Sequence, residues 1–388
     1  MNYKLKDLIQ IKNGSDYKSL AKGTVPVYGT GGIMTYVDNY LYDGESVLLP
    51  RKGTLDNVMY VNGKFWTVDT MYWTIVNTEK VLPLYLYYYL SLLDMSSRDS
   101  GSTLPSMTFD AYYTLDIEIP SIDSQQKVID TISSIDNKIR NNDAINDNLL
   151  KMARSIYNYW FIQFDFPNKY HKPYKTSGGT LSWNAQIKRS IPNHWLVTEF
   201  QNVCTIRRGA SPRPIDSFMD ETHKGMPWVK ISDATSSISP FILKIKEHII
   251  PEGIPKSVHV EPGTLIVSNS ATPGIPKYIE IDACVHDGWL VLDDYAPELR
   301  YYLYFVIEMV RESLVNIATG SIFKNLNTDY LKEYKCVIPP SDVMAEFDRT
   351  ISPIMSKLLE TEKENLSLKS LKNYILPFLM NGQSTIAD

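Results

Sequence analysis

The sequence predicts two duplicated α/β (α+β) modules separated by two long helices that form an antiparallel coiled coil with pseudo-two-fold symmetry. Two observations predict this architecture: the chain repeats itself, and each repeat ends in a heptad pattern of apolar residues. The composition of the 388 residues, 44% apolar and 21% charged, is that of ordinary globular protein. It excludes a disordered chain, a collagen and a small disulfide-rich scaffold.

The repeat pairs residues that lie about 200 positions apart. Gly14 matches Gly209, and the Ile119-Pro120 step matches Ile338-Pro339. The offset drifts early in the repeat and then stays at 219 residues for about 60 positions. Glycine, proline and apolar positions agree together, so chance is a weak explanation. The pattern indicates variable loops first and a gapless element last.

The sequence of each repeat predicts a compact module followed by a long helix. The modules, 1–121 and 188–340, mix short β-rich runs with Gly/Pro turns and contain one apolar helical run each, at 82–93 and 297–310. The helices are predicted at 122–162 and 341–388. Residues 163–187, rich in turn formers, form the linker between the repeats.

Both helical segments carry a seam of residues that alternate at spacings of four and three, typical of a coiled coil. The seam comprises Ile132, Ile135, Ile139, Asn142, Asn146 and Leu149 in the first segment, and Ile351, Ile354, Leu358, Asn365 and Leu368 in the second. It turns polar at the same place in both. A packed antiparallel pair is predicted; separate packing of each helix on its own module is the alternative. Pro353 predicts a break near Ser352.

Sequence motifs of catalysis do not occur. The chain has neither a Gly-x-x-x-x-Gly-Lys-Ser/Thr loop nor an Asn/Asp-Pro-Pro-Tyr/Phe motif, and its six histidines lack metal-ligand spacing. Gly29-Thr30-Gly31-Gly32 reads as a turn. Cys204, Cys284 and Cys336 read as buried, reduced thiols of a cytoplasmic protein, and no apolar run reaches the length of a membrane span. These features favour a non-catalytic protein that positions other molecules over an enzyme.

The chain resembles the specificity subunit of type I restriction–modification enzymes along nearly its whole length. The second repeat opens with Ile191-Pro192-Asn193-His194-Trp195 and keeps Gly209, while the first repeat is abbreviated at this point. The first module closes with Ile-Pro followed by Gln125-Gln126, which Met344-Ala345-Glu346 replaces in the second. The segment Leu379-Met380-Asn381-Gly382-Gln383 is also similar. Individually these motifs are weak, but their repeated order is specific.

The resemblance implies a non-catalytic DNA-recognition subunit. The modules would be two target-recognition domains that each read one half of a bipartite double-stranded DNA site. The helices would set the spacer and dock two methyltransferase (modification) subunits, and through them the restriction/translocase subunits. S-adenosylmethionine, ATP and Mg would belong to those partners, with no cofactor in this chain. A helix of about 40 residues is about 60 Å long, enough to separate two readers by one duplex turn of about 34 Å.

Candidate DNA-binding residues lie in Gly-rich or basic loops at equivalent places of the repeats, because base edges and phosphates are read by such loops. They are Lys12, Lys22, Gly31, Arg51, Lys52, Thr54 and Ser102 in the first repeat, and Arg207, Arg208, Arg213, Lys224, Lys230, Ser270 and Lys324 in the second. Arg51 with Lys52 and Arg207 with Arg208 are the foremost candidates. The alternative for any single basic residue is a solvated surface charge.

The charge balance argues against a broad basic footprint. The net charge is −5, and neither module is basic: 1–121 carries −3 and 188–340 carries −2, whereas the linker carries +2. Positive charge for DNA must therefore be local, on loops. The acidic balance leaves open a duplicated protein-binding scaffold with a coiled-coil spacer and no DNA role. An enzyme fragment with unrecognised chemistry is a further alternative.

Overall fold

The chain forms two compact units in a computed structural model. The structure describes residues 1–98, 105–235, 237–319, 326 and 328–383, with the side chains of 98 and 312–319 outside the description. Met1–Asn141 with Asn365–Asp388 form the first unit, and Asn142–Glu364 form the second. No helix among the described residues is long and apolar enough to cross a membrane.

The first unit is built on a six-stranded sheet. The strands of the first unit are β1 (Asn2–Lys4), β2 (Ile9–Lys12), β3 (Lys22–Gly29), β4 (Gly32–Val37), β5 (Tyr42–Pro50), β6 (Met59–Thr67), β7 (Met71–Val76) and β8 (Asp116–Glu118). The short helices of this unit are α1 (Pro83–Ser91) and α2 (Phe109–Tyr113). The sheet order is β2-β7-β5-β6-β3-β4, antiparallel except for the β3–β6 pair. Strands β1 and β8 pair separately.

The core of the first unit lies between this sheet and α1. Pro83 occupies the first turn of α1, where its missing N–H costs no hydrogen bond. Tyr85, Leu86 and Leu90 of α1 are buried in one cluster with Leu49 of β5. Because α1 is apolar on most of its circumference, it is a core helix rather than a surface helix.

The second unit contains a five-stranded and a four-stranded sheet. Its strands are β9 (Leu181–Asn184), β10 (Arg189–Pro192), β11 (Leu196–Glu199), β12 (Thr205–Arg208), β13 (Met226–Val229), β14 (Phe241–Ile242), β15 (His248–Ile249), β16 (Val258–Val260), β17 (Thr264–Ser268), β18 (Pro276–Ile279), β19 (Ala283–Val285), β20 (Trp289–Asp293) and β21 (Lys335–Ile338). The sheets run β12-β20-β17-β18-β14 and β15-β13-β19-β16, and β11 pairs with β21. Helix α4 spans Ile231–Thr235, α5 spans Arg300–Thr319 and α6 spans Thr328–Glu333.

The two modules share one frame of strands, which confirms the predicted duplication. The order β2-β7-β5-β6 of the first corresponds to β12-β20-β17-β18 of the second, and β1–β8 corresponds to β11–β21. The matched glycines make the same close approach: a Cβ on Gly14 would lie 2.0 Å from the Val68 carbonyl oxygen, and one on Gly209 would lie 2.1 Å from that of His286. Only glycine permits these contacts.

Beyond this frame the modules differ, as the drifting offset predicts. Strand β3 lies parallel to β6 in the first module as β14 lies parallel to β18 in the second, but only β3 continues into a further sheet strand, β4. The two-residue turn Thr30-Gly31 between β3 and β4 confirms the turn predicted there. The second module adds α4 and the sheet that contains β13. The variable parts therefore attach to a constant core.

The two long helices are α3 (Ile122–Tyr157), which continues into a π-helical turn Asn158–Ile162, and α7 (Ser341–Met380). In the second unit, Asn142 Nδ2 donates to Glu364 Oε2 at 2.8 Å, and the rings of Trp160 and Phe347 lie 5.6 Å apart. In the first unit, Asp136 contacts Lys372. Residue numbers rise along α3 while those of their partners fall along α7, so the helices pair antiparallel.

The predicted seam is buried to different depths along the pair. Ile132, Ile139, Asn142, Ile351, Leu358 and Asn365 are buried, whereas Ile135, Asn146, Leu149, Ile354 and Leu368 are half-buried. Leu150 and Met355, one position beyond Leu149 and Ile354, are buried instead. A straight helix has 3.6 residues per turn rather than 3.5, so a strict heptad drifts off the contact line.

The break expected at Pro353 is wrong, because α7 runs through this residue without interruption. Pro353 is exposed, so water can solvate the Arg349 carbonyl that loses its helical donor. Ser352 Oγ donates to Asp348 Oδ1 at 2.8 Å one turn earlier. The helix therefore tolerates the proline on its solvent side.

An ion pair connects three helices of the first unit. Lys372 Nζ of α7 lies 2.6 Å from Asp136 Oδ1 of α3, and both side chains are mostly buried. Tyr88 Oη of α1 donates to Asp136 Oδ2 at 2.8 Å. Burial and the neighbouring Asp136 carboxylate raise the pKa of the Tyr88 hydroxyl. The carboxylate thus has a cation and a neutral donor as partners.

We expect Lys372→Met to lower the free energy of unfolding by about 1–3 kcal/mol, because it leaves the Asp136 carboxylate without its cation. Urea denaturation measures the change. Lys357→Met is the matched control: its partner Glu360 and Lys357 itself are both exposed, so the change should stay within about 0.5 kcal/mol. Equal unfolding midpoints for Lys372→Met and wild type would contradict this role.

Candidate nucleic-acid interface

In the first unit, the turn of the β3–β4 hairpin and the loop after β5 form one surface. Asn57 Nδ2 donates to the Thr30 carbonyl oxygen at 2.6 Å, and a Cβ on Gly53 would lie 3.4 Å from Thr30 Oγ1. Gly31 is exposed and nothing lies within 4 Å of its Cβ position. Two loops that sequence reasoning nominated separately are therefore brought together here.

Arg51 is held at the edge of this surface with its charge available. Its guanidinium Nη1 donates to the Asp69 carbonyl oxygen at 3.4 Å, and its Cζ atom lies over the Tyr72 ring, 5.9 Å from the ring centroid. Among the described residues, no carboxylate lies within ion-pair distance of Arg51. A half-buried guanidinium held by a carbonyl and a ring can still bind phosphate or a base edge.

The other candidate DNA-binding residues of the first unit are spread over the loop after β5, strand β2 and the start of β3. Lys52 and Thr54 are exposed in the same loop as Arg51, and Lys52 forms an isolated β-bridge with Ser106. Lys22 is exposed at the start of β3, whereas Lys12 is half-buried on β2 opposite Trp73. Ser102 lies outside the described residues. Lys52 and Thr54 thus join Arg51 in the hairpin-facing loop.

In the second unit, three arginines surround Asp287 and Asp293. Arg207 Nε lies 2.5 Å from Asp293 Oδ2. Arg208 Nε donates to the Asp287 carbonyl oxygen at 2.9 Å, and Arg213 Nη2 lies 3.4 Å from Asp287 Oδ2. The positive charge of the arginines on and after β12 is therefore partly balanced by carboxylates.

Asp287 remains ionised in this cluster. Ser211 Oγ donates to Asp287 Oδ1 at 2.6 Å, and this hydrogen bond lowers the pKa of the Asp287 carboxyl group. The backbone at Gly209 passes directly against the His286 carbonyl group, so Arg208 lies next to the segment that carries Asp287. Sequence reasoning missed both aspartates, because they lie about 80 residues from the arginines.

Other candidates of the second unit have different surroundings. Lys230 Nζ lies 2.5 Å from Glu247 Oε2 and over the Trp228 ring. Lys224 is exposed in a turn whose backbone N–H groups bind Asp220, and Ser270 is half-buried. Lys324 lies outside the described residues. Of these, Lys224 is the exposed cation.

The described residues offer donors and cations rather than catalytic groups. Burial raises the pKa of Cys204 and of Cys336 to about 12 and that of Cys284 to about 11, so the thiols stay protonated. All three cysteines are free and buried. Within the described part of the chain, no group of three His, Cys, Asp or Glu residues could hold a metal ion.

Comparison with known protein families identifies the class of DNA-specificity proteins to which this fold belongs. The family profile of the type I restriction modification DNA specificity domain matches residues 1–151 and 192–375, and so covers both repeats. The chain belongs to this family. It is a non-catalytic DNA-recognition protein of the type I restriction–modification class.

Individual relatives match over most of their length. The type I restriction enzyme MjaIX specificity subunit of Methanocaldococcus jannaschii is 20% identical, with 99% of this chain and 93% of that protein covered. The HindI specificity subunit of Haemophilus influenzae is 21% identical, with 85% and 82% covered. The crystal structure of the S subunit from M. genitalium superposes with a TM-score of 0.62 at 14% identity, over 98% of this chain and 96% of that one.

We expect Arg51→Ala to weaken binding of the assembled complex to its target duplex by about three- to tenfold. It should also reduce the slope of log K against log salt by about one, since one cation–phosphate contact is lost. Arg207→Ala should weaken binding less, because Asp293 already balances its charge. Fluorescence anisotropy over a salt series measures both effects.

Lys80→Ala is the matched control, because Lys80 is exposed on the first unit outside the candidate loops. Its affinity and salt slope should equal those of wild type. Unchanged affinity in both Arg51→Ala and Arg207→Ala would reject these two site assignments.

Proposed function

We propose that each module of this chain reads one half of a bipartite duplex and that the long helices fix the spacing of the halves. The observation that carries this proposal is the shared strand frame of the modules, each with its own variable loops. Accordingly we assign 1–121 and 188–340 to target-recognition domains, 122–162 and 341–388 to spacer helices, and 163–187 to a linker. The 40 residues of α7 rise about 60 Å, more than the roughly 34 Å of one duplex turn.

Weak binding of the isolated chain to non-target DNA follows from its charge. Neither module is basic overall, and arginines of the second unit already have carboxylate or carbonyl partners. Non-specific affinity depends on the number of phosphates neutralised. Partner subunits would therefore provide many of the contacts with the DNA phosphates. The protein-scaffold alternative receives no support from the family relationship.

Equivalent apolar surfaces on the long helices support two copies of one partner. Met152 on α3 and Tyr159 in the π-helical turn that continues it are 45% and 40% exposed, and their counterparts Leu371 and Phe378 on α7 are 47% and 37% exposed. Each pair is one heptad apart, and the pairs are separated by the repeat offset of 219 residues. Repeated apolar residues on the outer side of a helix are typical of a docking surface.

Two methyltransferase subunits fit these two surfaces, one on each. The restriction/translocase subunits would join through the methyltransferase subunits, and S-adenosylmethionine, ATP and Mg would be bound by those partners. The three buried, free cysteines fit the reducing cytoplasm, where the DNA and the partner subunits lie. This chain would then contribute target choice and geometry to the complex.

Methylome sequencing tests the proposed function directly. Deletion of this gene should abolish one bipartite adenine-methylation motif and leave other motifs intact. Complementation with the wild-type gene should restore the same motif. If every motif persists after deletion, the proposed function is wrong.

We expect Met152→Glu with Tyr159→Glu to remove one methyltransferase subunit from the complex, because two charges replace the apolar contacts. Leu371→Glu with Phe378→Glu should remove the other, and the four changes together should remove both. Native mass spectrometry of the purified complexes measures the stoichiometry. Tyr170→Glu, at an aromatic residue of the linker that is 69% exposed, is the control that should keep both subunits. Full stoichiometry in every variant would contradict the docking assignment.

A further inference from the structure

The β3–β4 hairpin exposes two large apolar side chains on β4 directly after its turn. Residues that alternate along a strand point to opposite faces, yet the neighbours Ile33 and Met34 are 50% and 57% exposed. Three positions further on, Val37 is buried. Strand β4 is therefore buried at the base of the hairpin and exposes side chains on both of its faces next to the turn, while the turn itself contacts Asn57 through Thr30.

The tip of the hairpin lacks the protection usual for an edge strand. Strand β4 is the last strand of the six-stranded sheet, and the segment 29–37 contains no charged residue. Edge strands are normally blunted by charges or proline, because exposed apolar edges associate with other chains. An uncharged tip with two large apolar side chains indicates a binding surface.

The neighbouring groups favour DNA as the ligand. The turn of the hairpin contacts the loop that carries Arg51 and Lys52, through the hydrogen bond from Asn57 to Thr30 and the close approach of Gly53. Cations beside an apolar tip suit a duplex, because they bind the phosphates that flank a groove. Two register shifts in the β3–β4 ladder add local twist.

The major groove fits the dimensions and chemistry of this hairpin. It admits a two-stranded β-ribbon, and the apolar group that base edges present there is the thymine 5-methyl. We propose that the β3–β4 hairpin enters the major groove and that Ile33 and Met34 are specificity-determining residues that contact thymine methyl groups. This inference rests on the proposed function, in which the first module reads one half of the target.

Substitution of deoxyuridine for thymidine tests the inference, because it removes the methyl group and keeps every hydrogen-bonding group. The target duplex comes from the methylome comparison, and each thymidine is replaced in turn. The assembled wild-type complex should bind about three- to fivefold more weakly for each contacted methyl that is lost. The sensitive thymidines should lie in one half of the target.

Variants of the hairpin test whether Ile33 and Met34 are the side chains that contact the methyl groups. Ile33→Ala with Met34→Ala should bind the thymidine duplex more weakly and should no longer distinguish deoxyuridine from thymidine at the sensitive positions. Ile75→Ala removes an exposed isoleucine from β7 of the same unit and should keep the wild-type discrimination. Circular dichroism checks that all variants are folded.

Three results would overturn the inference. The first is equal binding of wild type to thymidine and deoxyuridine duplexes. The second is a methyl effect that survives in the hairpin variant. The third is a sedimentation coefficient that the hairpin variant lowers in the absence of DNA, since the tip would then pair with a second copy of the chain. In each case a motif lost on gene deletion would leave the proposed function intact.

Discussion

Antiparallel pairing of α3 and α7 is the constraint on which the rest of the structure depends. The helices bury apolar residues over most of their length, but they also bury Asn142 and Thr361 in the second unit and Asn365 in the first. Polar residues in a helical seam reduce stability and favour one register over the alternatives, because a shifted helix would bury them against apolar side chains. Asn142 of α3 donates to Glu364 of α7 in the second unit, which fits a role in register selection.

Each module is attached to the helix pair by a carboxylate that a cation and a tyrosine share. In the first unit Asp136 contacts Lys372 and Tyr88. In the second unit Glu308 binds Arg154 at 2.6 Å and contacts the Tyr304 hydroxyl. Such directional contacts set the orientation of a module on its helices, whereas apolar packing alone tolerates sliding. Orientation matters in a reader whose loops must meet base edges at fixed positions.

Sequence reasoning succeeded where the signal is local and periodic. The duplication, the long helices and the Thr30-Gly31 turn are visible because glycine, proline and apolar residues recur at fixed spacings. It failed at Pro353, where solvent exposure decided the outcome, and it overlooked the contacts of Arg207 with Asp293 and of Arg213 with Asp287. Those contacts depend on strand order, which brings residues about 80 positions apart to one edge.

Paired arginines at the second module have a consequence for specificity. An exposed ion pair contributes about 0–1 kcal/mol, so a phosphate can displace the carboxylate of Asp293 from Arg207 at little cost but also with little gain. Non-target DNA therefore gains little at this edge. The proposed base-edge contacts of Ile33 and Met34 have no charged competitor of this kind, because both side chains are at least half exposed and apolar. In a mildly acidic chain, arginines that are already paired with carboxylates and apolar side chains that stay exposed thus lower the affinity for non-target DNA more than the affinity for the target. The ratio of these two affinities decides which site is bound when many sites compete.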